Sequence, residues 1–368
     1  MSFDERIQSV IITAGDHAGE VDREGRFPTE AVDALRASGL FGLTAPTVIG
    51  GLGGSPADFL SATRSIASRC ASTAMIYLMH VCALQVTLAG TPGGDSPAIR
   101  EMADGTNLST LALSERGSRS HFWAPVSRIE GTALQAQKSF VTSAGHADSY
   151  VVSTRPAGTE SALESSLYLV PADTPGMQAG APWDGLGLRG NASAPMTIEI
   201  DVEEKMLLGE AGKGLDLMLG VVLPWFQLGQ GAVSLGIAES AQSAAVQHVT
   251  GARLEHVGQT LADLPTVRAR IGRAQTEIDT VGGFLSDVAR RMAEADPLVP
   301  ILSAKASANE MALFVTSEAM QACGGAAMSK SLPIERSFRD ARAGSVMAPT
   351  TDVLYELTGR ALAGMPLL

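Results

Sequence analysis

Residues 339–357 read RDARAGSVMAPTTDVLYEL: alternating charges, a flat apolar turn, then a renewed helical pattern. No acid or base stands between Arg342 and Asp352, so the turn brings no proton acceptor of its own. A second candidate is GLGLRG, Gly185 to Gly190, which has the form of the G-x-G-x-x-G dinucleotide fingerprint. That motif requires a strand before it and a helix after it. Here an alternating strand follows, through Ile200, and a Rossmann site is not expected. The six histidines, His17, His80, His121, His146, His248 and His256, lack metal-ligand pairing, and no metal is expected.

The elements that must position such residues are bounded by composition. The 368 residues are 45% hydrophobic, enough for two or three packed units. The formal charge of −12, from 39 acidic and 27 basic residues, gives no electrostatic reason to approach nucleic acid or anionic lipid, so neither is expected as a partner. Cys70, Cys82 and Cys323 are odd in number and not spaced as metal ligands, and MSFDERIQSV lacks an apolar signal core. The chain therefore reads as cytoplasmic. No apolar run is expected to reach the roughly 18 residues of a membrane span.

Along the chain, FPTEAVDALRASGLFG puts Pro28 at a helical first turn and Gly39 at a C-terminal cap, and residues 1–110 read as mostly helix. The texture then changes. In PMTIEIDVE, Met196, Ile198, Ile200 and Val202 alternate with polar residues, the period of a half-buried strand, and YVVST and SLYLVP read as companions. Helices return from about residue 212. Val267, Ile271, Ala274, Ile278, Val281, Leu285, Val288 and Met292 recur in steps of four and three, the seam of a helix in a nearly aligned bundle, and AKASANEMALFVTSEAMQACGG forms a second long helix ending at Gly324 and Gly325. The fold class is α+β.

Two stretches, LALSERGSRS at 111–120 and AQKSFVTSAGHADSYVVS at 136–153, are more telling together. Their order resembles the acyl-CoA dehydrogenase superfamily, whose β domain carries T-E-P-G-x-G-S-D and then G-x-K-x-W-I-T before an A-D-x-Y-V-V strand. The resemblance runs through RFPTEAVDALRASGLFG, VPADTPGM at 170–177, and QACGG and LPIERSFRDAR at 321–342. It implies a helical domain at 1–110, a β-barrel domain at 111–211 and a four-helix bundle at 212–368.

It also implies FAD. A flavin needs a wall of hydroxyls, amides and a flat aromatic, with one face left open. The resemblance places Leu113, Ser114, Gly117, Phe140, Thr142 and Ser143 on that wall, with Ser114 where the family has threonine and Phe140 where it has tryptophan. Ser120 matches the loop serine toward the CoA end, whereas Arg119 and His121 replace the loop's second glycine and its aspartate. Gln321, Gly324 and Gly325 match Q-x-x-G-G, which approaches the FAD diphosphate of a neighbouring subunit, and Arg253 stands near the family's FAD-contacting arginine. A complete site then needs a homodimer or homotetramer.

Aligned on Arg339 and Asp340, the family's I-Y-E-G-T falls on Val346, Met347, Ala348, Pro349 and Thr350, so its general base becomes Ala348, while Thr350 and Asp352 keep the turn against flavin. The CoA-steering D-K-T-R-P falls on Val222 to Phe226, with Trp225 for the arginine and no carboxylate. The leading expectation is an FAD-dependent oxidoreductase with non-standard chemistry. Its substrate would be an acyl thioester or a small apolar molecule stacked by Trp225 and Met347, with His80 as candidate proton shuttle and an electron-transfer partner. The alternatives are a flavin monooxygenase supplied by a flavin reductase partner, suggested by Ser143 and His146, and a non-catalytic flavin-binding or assembly subunit.

Overall fold

The protein is described from a computed structural model covering residues 1–118, 121–159, 161, 163–292 and 298–367. Five helices come first: α1 (Phe3–Glu24), α2 (Thr29–Ser38), α3 (Pro56–Ala67), α4 (Ala71–Gly90) and α5 (Pro97–Asp104). Ser2 and Ser55 form capping boxes with Glu5 and Asp58, which satisfy amides that a helix start leaves open. Gly39 caps α2 as read, but Pro28 is its N-cap residue and not part of its first turn.

Among the described residues, eight strands follow: β1 (Ser109–Ala112), β2 (Arg128–Glu130), β3 (Ala133–Val141), β4 (Ser149–Thr154), β5 (Ser166–Pro171), β6 (Met177–Ala179), β7 (Ala194–Asp201) and β8 (Leu207–Leu208). They form two four-stranded sheets, ordered β1-β4-β5-β8 and β2-β3-β7-β6. Isolated bridges, Glu115 to Lys138 and Arg128 to Arg155, stitch one sheet to the other. The expected middle sheet domain is thus built as two bridged sheets over a shared core that includes Leu134, Val141, Tyr150, Val152, Ile198 and Ile200. The alternation in β7 holds, because Ala194, Met196, Ile198 and Ile200 are buried and their neighbours are not.

Helices α6 (Gly214–Leu217) and α7 (Leu223–Gly251) are joined by a π turn, Met218–Val222. A short hairpin, β9 (Arg253–Leu254) and β10 (Gln259–Thr260), precedes α8 (Pro265–Arg291), α9 (Leu298–Cys323), α10 (Ile334–Val346) and α11 (Thr351–Leu362). The first and last helical segments share one core: Phe59 and Leu78 belong with Leu228, Leu285, Leu302 and Val315. Gly229 permits this closeness, since a Cβ there would lie 2.2 Å from Leu78 Cδ1.

Two expectations change. Among the described residues, three helical stretches, Ala71–Gly90, Gly214–Gly251 and Leu298–Met328, are long and apolar enough to cross a membrane. In this fold their most apolar windows are 83%, 83% and 56% buried, because the two helical segments close over them. The α8 seam is likewise covered within the chain. Ala274, Ile278, Val281, Leu285 and Val288 are buried against the helical core, so the seam does not argue for a second subunit.

Candidate functional site

A cavity of about 830 Å³ opens where the three segments meet. Met75 and Met79 of α4, Leu111 of β1 with the following Leu113 to Ser118, and Ser139, Phe140 and Thr142 around the end of β3 form one side. The β6–β7 loop supplies Trp183, Leu186, Gly187, Leu188, Asn191 and Ser193. Opposite stand Val222, Phe226 of α7, and Arg339, Arg342, Ala343, Ser345, Val346, Met347 and Ala348.

Phe140 reaches the cavity through a bulge. The β3–β7 register shifts between Lys138 and Val141, Phe140 takes φ 55°, and its ring is 68% exposed, edge-on to Trp183 at 6.1 Å between centroids. An aromatic residue with positive φ is uncommon, and bulges of this kind re-aim side chains. Thr142 Oγ1 lies 3.2 Å from Ser193 Oγ. Ser143 is buried at φ 61°, donates its N–H to Asn191 O at 2.9 Å, and is not a lining residue. GLGLRG is not a dinucleotide loop but part of this wall. Gly187 lies so close to α10 that a Cβ would fall 2.7 Å from Arg339 O.

Charge in the cavity is tightly assigned except at Arg116, which lines it and is exposed. Glu115 is the one carboxylate among the described lining residues, and it accepts from Lys138 Nζ, from Ser127 N at 2.7 Å and from Val126 N. Burial would raise its pKa, but the charge and hydrogen bond of Lys138 hold it below the ordinary carboxylate value. It is therefore an occupied acceptor, not a free base. Arg339 ties α10 to Asp22 of α1, at 2.6 and 2.8 Å, and to Leu186 O at 3.0 Å. Asp340 accepts from Leu188 N at 2.7 Å, and burial pushes it up to about 6. Arg342 stacks on Phe338 with its Cζ 3.6 Å from the ring centroid and donates to Thr316 Oγ1 at 3.1 Å and Ser317 Oγ at 3.3 Å.

The expected site residues divide. Leu113, Ser114, Gly117, Phe140, Thr142, Met347 and Ala348 line the cavity, whereas Ser120 and Arg119 lie outside the described residues. Trp225 does not line it: Val222 and Phe226, one helical turn apart, take the facing side of the helix, and Trp225 packs edge-on to Phe59 at 5.4 Å. His80 is also corrected. Because α4 is buried on nearly every side, its ring is enclosed 4.4 Å from Phe41 with Nδ1 accepting Ser109 N–H at 3.1 Å, and burial pushes its pKa down to about 3. A neutral imidazole outside the cavity wall is no shuttle for it. His146 stacks on Phe27 at 4.1 Å and is likewise not a lining residue.

Beyond Ala348 the chain turns away. Thr350 is the N-cap residue of α11, and Asp352 lines a second cavity of about 440 Å³ with His121, Trp123, Glu356 and Arg360. Arg253, Gln321, Gly324 and Gly325 are exposed and line neither cavity. Sequence reasoning missed Arg342 as a cavity residue, and also Met75, Met79, Phe226 and the Leu186–Leu188 rim. Only the RDAR and GLGLRG motifs signalled any of them, and the apolar ones look like core.

Comparison with known proteins agrees with this architecture. Residues 8–106, 110–200 and 212–363 match, in order, the acyl-CoA dehydrogenase N-terminal, middle and C-terminal domains. Cyclohex-1-ene-1-carbonyl-CoA dehydrogenase of Syntrophus aciditrophicus (strain SB) is 27% identical over 352 residues, 93% of this chain and 84% of that protein. Butyryl-CoA dehydrogenase from Megasphaera elsdenii superposes with a TM-score of 0.88 at 24% identity, covering 97% of this chain and 98% of that one. FMN-bound TdsC from Paenibacillus sp. A11-2 superposes with a TM-score of 0.87 at 23% identity, covering 99% and 98%. Proteins of this family are flavin-dependent oxidoreductases that use FAD. With all three of its domains matched in sequence order, the chain belongs to the acyl-CoA dehydrogenase family.

Proposed function

We propose that this chain holds FAD in the cavity between its sheets and helices and oxidises or reduces a small acyl or apolar substrate without a carboxylate base from the 346–350 turn. The observation that carries this reading is the cavity wall itself. Phe140, Leu186 and Val346 are exposed apolar side chains at 68%, 64% and 74%, gathered on one rim, and a flat apolar ring system would cover them. Beside them, Ser114 and Thr142 offer hydroxyls, and that of Ser114 makes no hydrogen bond within the described residues. The residues present therefore fit a flavin.

Ser114 and Thr142 would hold its polar edge, and Phe140 with Trp183 would flank it. When bound, FAD supplies the two-electron redox chemistry that no side chain here can perform. Met75, Met79, Leu111, Phe226 and Met347 would bind the reacting part of the substrate and exclude water. Glu115, already accepting from Lys138 and two amides, keeps its carboxylate out of proton transfer. The same lack of a free base favours a second reading, a monooxygenase fed by a flavin reductase, in which no substrate proton has to be removed.

The test is the visible spectrum of the purified protein, followed by FAD titration and anaerobic mixing with butyryl-, octanoyl- and palmitoyl-CoA. We expect non-covalent FAD, affinity lowered about tenfold by the Ser114→Ala, Thr142→Ala pair, and no rapid reduction by the three thioesters. A protein that neither carries nor takes up FAD would remove the reading. Rapid bleaching by a straight-chain thioester would remove its non-standard chemistry, and turnover only with supplied reduced flavin would select the monooxygenase.

A further inference from the structure

Lys305, in the first half of α9, is fully buried. Its Nζ donates to Met347 O at 2.8 Å and to Pro349 O at 2.7 Å, the two carbonyls that flank Ala348. The same Nζ lies 5.4 Å from the centroid of the Phe226 ring. It forms no ion pair with a carboxylate among the described residues. Met347, Ala348 and Phe226 all line the main cavity, whereas Lys305 does not.

Burial without a carboxylate partner pushes the Lys305 amine down to about 7, so keeping a lysine in this place is costly whether or not it is charged. A methionine of similar length would fill the space without that cost, so stability alone does not account for a lysine here. What the lysine supplies, and methionine would not, is two strong donors aimed at a segment without regular secondary structure. Residues 347–349 fall between the end of α10 and Thr350, the N-cap residue of α11, and the carbonyls of Met347 and Pro349 there accept from Lys305 in place of a helical amide. Held by Lys305, this segment keeps Met347 and Ala348 in the cavity wall next to Phe226.

We propose that Lys305 is a positioning residue that clamps the Met347–Pro349 turn and thereby sets the wall against which ligand and cofactor pack. It acts through the turn and does not touch the ligand. The clamp itself is independent of the flavin assignment; only its consequence for cofactor affinity rests on that reading.

The test uses the full chain with Lys305→Met and Lys305→Arg, the second keeping the N–H donors. Hydrogen exchange is followed by mass spectrometry in peptides spanning residues 343–352, first without FAD, and FAD affinity and the visible circular dichroism of bound flavin are measured afterwards. In Lys305→Met we expect exchange in this segment to accelerate about tenfold, α4 and α7 to exchange as in wild type, and FAD to bind about tenfold more weakly with an altered dichroism band. Lys305→Arg should restore most of each. Wild-type exchange in Lys305→Met would overturn the clamp, as would Lys305→Arg exchanging as fast as Lys305→Met, or failure of both variants to fold, which would make the lysine a requirement of the bundle. If wild type binds no FAD, the flavin reading falls, while the exchange comparison still decides the clamp.

Discussion

At the scale of single residues, the RDAR motif is a set of ties between segments. Asp340 is buried with its carboxylate on Leu188 N, and burial outweighs that bond and the nearby Arg336 and Arg339, lifting it from 3.8 to about 6. A carboxyl group whose folded pKa is raised contributes stability below its unfolded pKa and loses it as pH rises through the folded value. Unfolding free energy should therefore fall by on the order of 3 kcal/mol between about pH 4 and pH 6, and Asp340→Asn should flatten that part of the profile. Denaturant titrations at half-unit pH steps would check this; an unchanged slope in the variant would assign the effect elsewhere. Ala348 raises a different question. Ala348→Glu would put a carboxylate beside Met347 and the buried Pro349, where poor solvation raises its pKa, and would leave the apolar Val222 and Phe226 facing it across the cavity. A base supplies ~10²- to 10⁴-fold, but alignment supplies ~7 to 11 kcal/mol, so the variant should show no rapid flavin reduction by butyryl-, octanoyl- or palmitoyl-CoA in anaerobic stopped flow. Rapid reduction in the variant alone would show that thioester positioning is intact.

At the scale of elements, α8 illustrates what a period can and cannot say. The four-three spacing marks the face that is buried, but not what buries it, and the partners turn out to be helices of the same chain. Leu285, with no exposed surface, is central to that packing. Leu285→Ala should cost about 2 to 5 kcal/mol, whereas Glu277→Ala on the exposed face should stay within about 0.5 kcal/mol. Urea unfolding of both variants is the measurement, and equal effects would mean that α8 is not held by this seam. The bulge in β3 makes the complementary point. It is invisible to alternation counting, yet it turns Phe140 out of the sheet and into the cavity mouth.

At the scale of the whole molecule, one chain builds the cavity but leaves Gln321, Gly324, Gly325 and Arg253 exposed and outside it. Met328 nearby is 74% exposed and Val257 52% exposed. If these residues complete the cofactor site of a second copy, the FAD-loaded protein is a dimer or tetramer of the 38.1 kDa chain, and Gln321→Ala weakens FAD binding by about tenfold without touching the cavity wall. Light scattering of the loaded protein, alongside titration of the variant, tests both. A monomeric mass with FAD bound would dismiss the shared site.

The residues that announced themselves in the sequence were those with local causes. Helix periods, the alternation of β7 and the end of α2 at Gly39 are set by neighbours a few positions apart; together with the family resemblance carried by the order of the motifs, they were enough to place the family, its fold, and Leu113, Ser114, Gly117, Phe140, Thr142, Met347 and Ala348 of the cavity wall. Contacts between distant segments were not legible. Arg339 meets Asp22 across 317 positions, Asp340 meets Leu188 across 152, and Lys305 meets Pro349 across 44. No period records such pairings, because they depend on how finished helices and sheets come together. That assembly also enclosed His80 in the core, turned Trp225 from the cavity, and gave the buried Lys305 its two carbonyls.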